Sequence, residues 1–201
     1  MQQYYQAIDN FFDAYSLPHA LHMLAKLIKT ADKEKIWKGA CPANAIWFTE
    51  RLELLTEAVF ALQERYDYHK EVILDKDNSG LWMLNQYKTY CGWHRASAPW
   101  DFFPRHLSQK EFIDPYKVLK KFTKYRSLAG WKEILKDLRF NALSPHSISE
   151  FDDRIGIISI WLLLHKLLEA AHLIEVRMPD DEIKPRKKWK DKKPVKKKIT
   201  P

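Results

Sequence analysis

Ile155-Gly156-Ile157-Ile158-Ser159-Ile160-Trp161-Leu162-Leu163-Leu164-His165-Lys166-Leu167-Leu168-Glu169-Ala170-Ala171-His172-Leu173-Ile174 is the most apolar stretch of this chain. A membrane span requires roughly twenty nearly uncharged residues. His165, Lys166 and Glu169 interrupt this one, so it reads as a helix buried inside the fold, and no spanning segment is expected. A helix that is apolar nearly all round must be covered on more than one side. The rest of the chain has to supply that cover.

Composition allows it. Apolar residues make up 46% of the 201, with 8 Trp, 9 Tyr and 10 Phe, which excludes disorder over most of the length. Five Gly are too few for a turn-rich all-β design, and helices joined by short loops fit better. Tyr4, Ile8, Phe11, Phe12 and Tyr15 recur at helical spacing and predict a first short helix ending near Ser16. Leu21, Leu24, Leu27 and Ile28 predict a second helix, opened by Pro18 in a tolerated first-turn position. A long helix follows from Ala43 to about Tyr68, with Trp47, Leu54, Leu55, Val59 and Leu62 along its inner side. Asp75 to Gly80 form a turn cluster, and Leu81 to about Tyr90 read as helix again.

Between Cys91 and Leu107 the periodicity fails. Trp93, Trp100, Phe102 and Phe103 are punctuated by Gly92, Pro99 and Pro104, an aromatic loop expected to pack against the helices before it. A domain boundary is expected at its end. Ser108 and Glu111 then have capping-box spacing and predict a helix through Tyr125. Ser127 caps the next helix, whose apolar stripe is Trp131, Ile134, Leu135 and Leu138. Ser144-Pro145-His146 is a turn, and Ser147 with Glu150 form a second candidate capping box, opening a short helix to about Arg154.

Ser147-Ile148-Ser149-Glu150-Phe151-Asp152-Asp153-Arg154-Ile155-Gly156-Ile157 resembles the second helix and turn of a winged helix-turn-helix. The run Leu167-Leu168-Glu169-Ala170-Ala171-His172-Leu173-Ile174-Glu175-Val176-Arg177 is similar to the end of the recognition helix and the first wing strand of such regulators. The resemblance covers about residues 127–190. It implies a wing tip at Asp180-Asp181 and a returning strand over Ile183 to Lys188. It also implies a nucleic-acid-associated regulator, with Ser159, Lys166, Arg177, Arg186, Lys187 and Lys188 as its contacts.

Charge bears on that function once it is located. The chain carries a net +8, while Lys184 to Lys198 alone hold ten Lys or Arg against one Asp. The remaining chain is therefore close to neutral, and phosphate neutralisation falls to a Lys-rich tail that reads as disordered. The outer face of the third helix, Ile158, Leu162 and Leu163, is apolar, and Asp180-Asp181-Glu182 is acidic. These residues motivate a rival reading: a protein-interaction or scaffold module with a winged-helix shape that does not read DNA, its partner a protein or a second copy.

No enzyme is expected, because the sequence offers no nucleophile–base–orienter set, Gly-rich phosphate loop or nucleophile elbow. No cofactor and no metal is expected either. His19 and His22 stand three apart, and Cys91 with His94 has zinc-like spacing, but a structural zinc needs four ligands and no convincing second pair presents itself. Arg65 and His69 are closer together than the Arg–His pairing of helical ribonucleases. With two distant cysteines and a start, Met1-Gln2-Gln3-Tyr4-Tyr5, lacking the features of a signal peptide, a cytoplasmic chain with free thiols is expected. The reading is a mainly α protein. A helical bundle spans 1–107, a winged-helix-like domain with a small β-hairpin spans 108–184, and 185–201 form the tail. Expected partners are DNA or another polyanion through the tail, and a protein partner or homodimer through the third helix, with no membrane.

Overall fold

The computed structural model describes residues 2–33, 36–38, 41–65, 68–75, 87–92, 99–146 and 156–178. Among these lie eight α-helices and no strand: α1 (Gln2–Ala14), α2 (Leu17–Ala31), α3 (Pro42–Arg65), α4 (Lys88–Cys91), α5 (Gln109–Ile113), α6 (Tyr116–Tyr125), α7 (Leu128–Leu143) and α8 (Ile157–Arg177). Single 3₁₀ turns occupy Lys70–Val72 and Pro99–Phe102. The fold is mainly α, as the sparse glycine and the helical periodicity require.

Local signals explain where these helices start and stop. Pro18 stands in the first turn of α2, where its missing N–H costs nothing. Ser108 and Glu111 close a reciprocal capping box at the start of α5, and the Ser127 hydroxyl accepts the Gly130 N–H at 3.2 Å to open α7. The helix expected from Ser108 through Tyr125 is two helices, divided at Asp114-Pro115. Pro115 has no N–H to continue the ladder, and its ring clashes with the preceding turn.

The inner face of α3 is also turned from the expected one. Phe48, Leu52, Leu55, Val59 and Leu62 are buried, whereas Trp47 and Leu54 are half exposed. Spacings alternating four and three keep the first set on one stripe. Trp47 falls outside it and instead carries the Arg51 guanidinium 4.5 Å over its ring.

Helix α8 packs against α1, α2, α4, α5 and α6, while α7 lies across α2 and α3. From Leu167 to Glu175 every residue of α8 is buried. By length and composition it is the one described helix able to cross a membrane, and most of its apolar window is covered by the fold. One apolar cluster joins Phe11, Leu24, Phe48 and Leu62 to Leu119, Phe122, Trp131 and Leu164. The core therefore runs unbroken across the boundary expected at residue 107. The Trp131 ring lies flat on Phe122, centroids 4.1 Å apart, and its indole N–H donates to the Phe122 carbonyl at 3.2 Å.

A smaller cluster gathers Tyr90, Cys91, Phe112 and Leu173. Phe103 packs onto it, edge-on to Tyr90 and stacked on Phe112. Phe102 and Phe103 of the aromatic loop thus pack as expected, but Trp100 is largely exposed, lying parallel to Phe103 on one side. Cys41 is exposed and Cys91 buried, and neither forms a disulfide.

The expected first wing strand, within 173–176, is helix. Leu173 and Ile174 are fully buried, and the Met178 N–H bonds back to the Ile174 carbonyl, closing the last turn. Burial along a helix already in progress outweighs the strand preference of Ile174 and Val176. The capping box at Ser147 and Glu150, the wing tip, the strand over 183–188 and the tail lie outside the described residues, as does all of 76–86.

Candidate functional site

The exposed side of α8 begins at its first turn. Ile158 is 75% and Leu162 37% exposed, whereas Leu163, expected to face outward with them, is partly buried and packed on the core. Stepping by helical spacing along the same side, positions 158, 162, 165 and 169 follow one another. The stripe passes from apolar, uncharged turns into a buried polar group formed by His165 and Glu169. The segment after the Pro99–Phe102 turn brings His106 over that group.

Glu169 anchors the arrangement. Its side chain is fully buried, and it accepts the backbone N–H of Arg105 at 2.7 Å on Oε1 and that of His106 at 3.0 Å on Oε2. Two consecutive amides therefore fix both carboxylate oxygens in place. His165, one turn earlier on α8, brings Nε2 to 3.4 Å from Glu169 Oε1. His106 brings Nδ1 to 3.6 Å from the same oxygen. The two imidazole centroids are 3.9 Å apart, and the Trp161 ring stands edge-on to both. Nδ1 of His106 and both ring nitrogens of His165 are buried without a hydrogen-bond partner among the described residues.

Beside this group lies a second buried carboxylate with a different solution. Glu111 is almost fully buried and is bonded by Lys121 at 2.7 Å and Lys166 at 2.9 Å. Burial works against its ionisation, but the two lysines and the N–H and hydroxyl of Ser108 prevail and lower its pKa to about 2. Lys166, expected to contact nucleic acid, is thus an internal counter-ion. Arg177, a second expected contact, is internal as well. Its guanidinium donates to the carbonyls of Thr89, Val72 and Phe112 at 2.8, 3.2 and 2.7 Å and lies over the Phe112 ring. Burial lowers its pKa to about 9, which leaves it a cation at neutral pH. It ties the end of α8 to three separate segments.

Of the remaining expected contacts, Ser159 is exposed on the first turn of α8, and Arg186, Lys187 and Lys188 lie outside the described residues. His19 and His22 are exposed on α2, and His94 lies outside the described residues. Arg65 stacks over Tyr4, while His69 meets Tyr5 edge-on with its backbone N–H on the Tyr116 hydroxyl. Further along α8, His172 Nε2 lies 2.8 Å from the Tyr90 carbonyl. Since a carbonyl only accepts, Nε2 carries the proton there and Nδ1 faces Glu175 at 3.5 Å.

The chain matches no family model, no curated protein and no solved structure, so its chemistry is read from this geometry. The sequence reading missed His106, His165 and Glu169 as a group. The four-residue step from His165 to Glu169 was legible as one helix face. The convergence of His106, far away in the chain, was not.

Proposed function

We propose that this protein acts by association, its exposed first turns of α8 seating a second copy of the chain. The observation that carries this reading is the exposure of Ile158 and Leu162 on a run from Ile155 to Leu164 that holds no charged residue. Clustered exposed apolar side chains mark an interaction surface. A two-fold pairing sets such a patch against itself, and an uncharged patch meets its own image without like-charge repulsion. A few side chains fall well short of the roughly 800 Å² per partner of a standard interface, so the dimer is weak and concentration-dependent. The internal engagement of Lys166 and Arg177 favours this reading over DNA readout by α8. What supports a winged-helix-like shape for this surface is the resemblance over residues 127–190, of which α7 and α8 are the described helices.

The test compares the natural chain with the double variant Ile158→Lys, Leu162→Lys by sedimentation equilibrium over a range of concentrations. The natural chain should rise in average mass with concentration. The variant should stay monomeric with an unchanged Tm. Identical monomer mass for both at every concentration would sink the reading.

The ten cations between Lys184 and Lys198 favour a second activity beside it, sequence-blind attraction of polyanions. In fluorescence anisotropy at low salt, duplex DNA should bind the full chain and not a chain ending at residue 184. If neither binds, that activity is absent.

A further inference from the structure

We propose that His106, His165 and Glu169 form a binding site for a divalent first-row metal ion, zinc in preference, with the fourth coordination position left to a water or another small ligand. Two nitrogens and one carboxylate oxygen are the donor set of three-ligand zinc sites, in which a water or substrate takes the fourth place. The distances fit such an ion. Ligand atoms about 2.0–2.1 Å from a tetrahedral zinc are about 3.3–3.4 Å from one another. Glu169 Oε1 stands 3.4 Å from His165 Nε2 and 3.6 Å from His106 Nδ1, and one ligand atom from each residue lies within 4.8 Å of the others.

The surroundings supply what a metal site needs beyond its ligands. Ligating carboxylates are held by hydrogen bonds from a second layer of groups, and here the amides of Arg105 and His106 hold Glu169. Trp161 walls the two imidazoles on one side. The His106 side chain is 31% exposed, so one of the three ligands belongs to the surface layer of the fold.

Without a cation the arrangement leaves its costs standing. Buried polar groups are almost always hydrogen-bonded, yet His165, only 8% exposed, has neither ring nitrogen bonded among the described residues. Glu169 is a fully buried carboxylate, and the two permanently charged side chains nearest this group in the chain, Lys166 and Arg105, are turned to other partners. Lys166 is bonded to Glu111, and Arg105 turns to Asp101 at the surface. One divalent ion offsets the charge of Glu169 and gives His106 Nδ1 and His165 Nε2 a partner together. The site would take its ion whether or not the neighbouring turns of α8 seat a second copy.

The experiment titrates zinc chloride into the untagged full chain, stripped of metal with a chelator, and follows binding by calorimetry. Cobalt(II) in place of zinc reports geometry through the intense visible bands of a four-coordinate ion. We expect one equivalent bound, with the cobalt spectrum of a four-coordinate site. His106→Ala, at a partly exposed position that tolerates truncation, should weaken binding at least about tenfold and abolish those bands while Tm without metal stays close to that of the natural chain. His165→Ala should do the same, and the pair His19→Ala, His22→Ala should change nothing. Should His165→Ala fail to fold, the His106 variant decides alone. The proposal is overturned if the natural chain binds zinc no more tightly than about 1 mM, or if His106→Ala binds it as tightly as the natural chain.

Discussion

Glu111 shows how one residue can serve a local signal and a distant need together. Its spacing from Ser108 makes it the closing member of a capping box, and that much is a property of four consecutive residues. Its second role is to hold Lys121 of α6 and Lys166 of α8, which only the packed chain brings within reach. The carboxyl is acidified to about 2 from an ordinary 4.5. Its folded-state pKa is depressed, so the stability it contributes is complete above about pH 4.5 and is lost as pH falls toward 2. Denaturant unfolding of Glu111→Gln at neutral pH should show a loss of about 2 kcal/mol, because Lys166 keeps its charge and loses its partner. Below pH 4.5 the gap between variant and natural chain should narrow. A gap constant with pH would show that Glu111 acts by packing alone. Arg177 belongs to the same scale: its identity as a basic residue near a helix end is plain in sequence, while its three carbonyl partners come from Val72, Thr89 and Phe112.

At the scale of elements, helix starts were more legible than helix faces. Ser108 and Ser127 were readable as caps because the signal is a side-chain oxygen meeting an amide two or three residues on. Replacing Ser127 by Ala should destabilise the fold by about 1 kcal/mol, measured as a lower denaturation midpoint with an unchanged m-value. No change would mean that water caps α7 equally well. Faces depend on neighbours. Trp47 and Leu54 had the right periodicity for the inner side of α3 and the wrong phase, since α1, α6 and α7 cover the Phe48–Leu52–Leu55 stripe instead. The end of α8 repeats the lesson. Leu173-Ile174-Glu175-Val176 has the composition of a short strand, but α8, which packs on α1, α2 and α4, is buried through Glu175, and a buried helix overrides a weak local preference.

For the whole molecule, the deciding fact is that, among the described residues, the larger apolar core takes in both sides of residue 107. Phe11 and Phe48 belong to the same apolar cluster as Trp131 and Leu164, and α7, lying across α2 and α3, joins them together with α8. A fragment of residues 1–107 would expose the faces of α1 and α2 that α8 covers. It should therefore lack a cooperative thermal transition and bind a hydrophobic dye, whereas the full chain melts sharply. A cooperative transition in the fragment would show that the first 107 residues carry an independent core. The aromatic loop misled on this point. Proline and glycine interrupt its periodicity in the manner of a linker, yet Phe102 and Phe103 pin it to Tyr90, Phe112 and His172.

Class and composition-level properties needed no coordinates. A chain with little glycine, abundant aromatics and repeated three-and-four spacing is helical, because those patterns act within a turn or two of backbone. The concentration of basic charge at Lys184 to Lys198 is likewise a matter of counting. Tertiary structure alone decided which cations were already engaged inside, that the core crosses residue 107, and that His106 meets His165 and Glu169. Each of those depends on groups far apart in the chain whose distance is set by packing, and packing leaves no periodic trace in the order of residues.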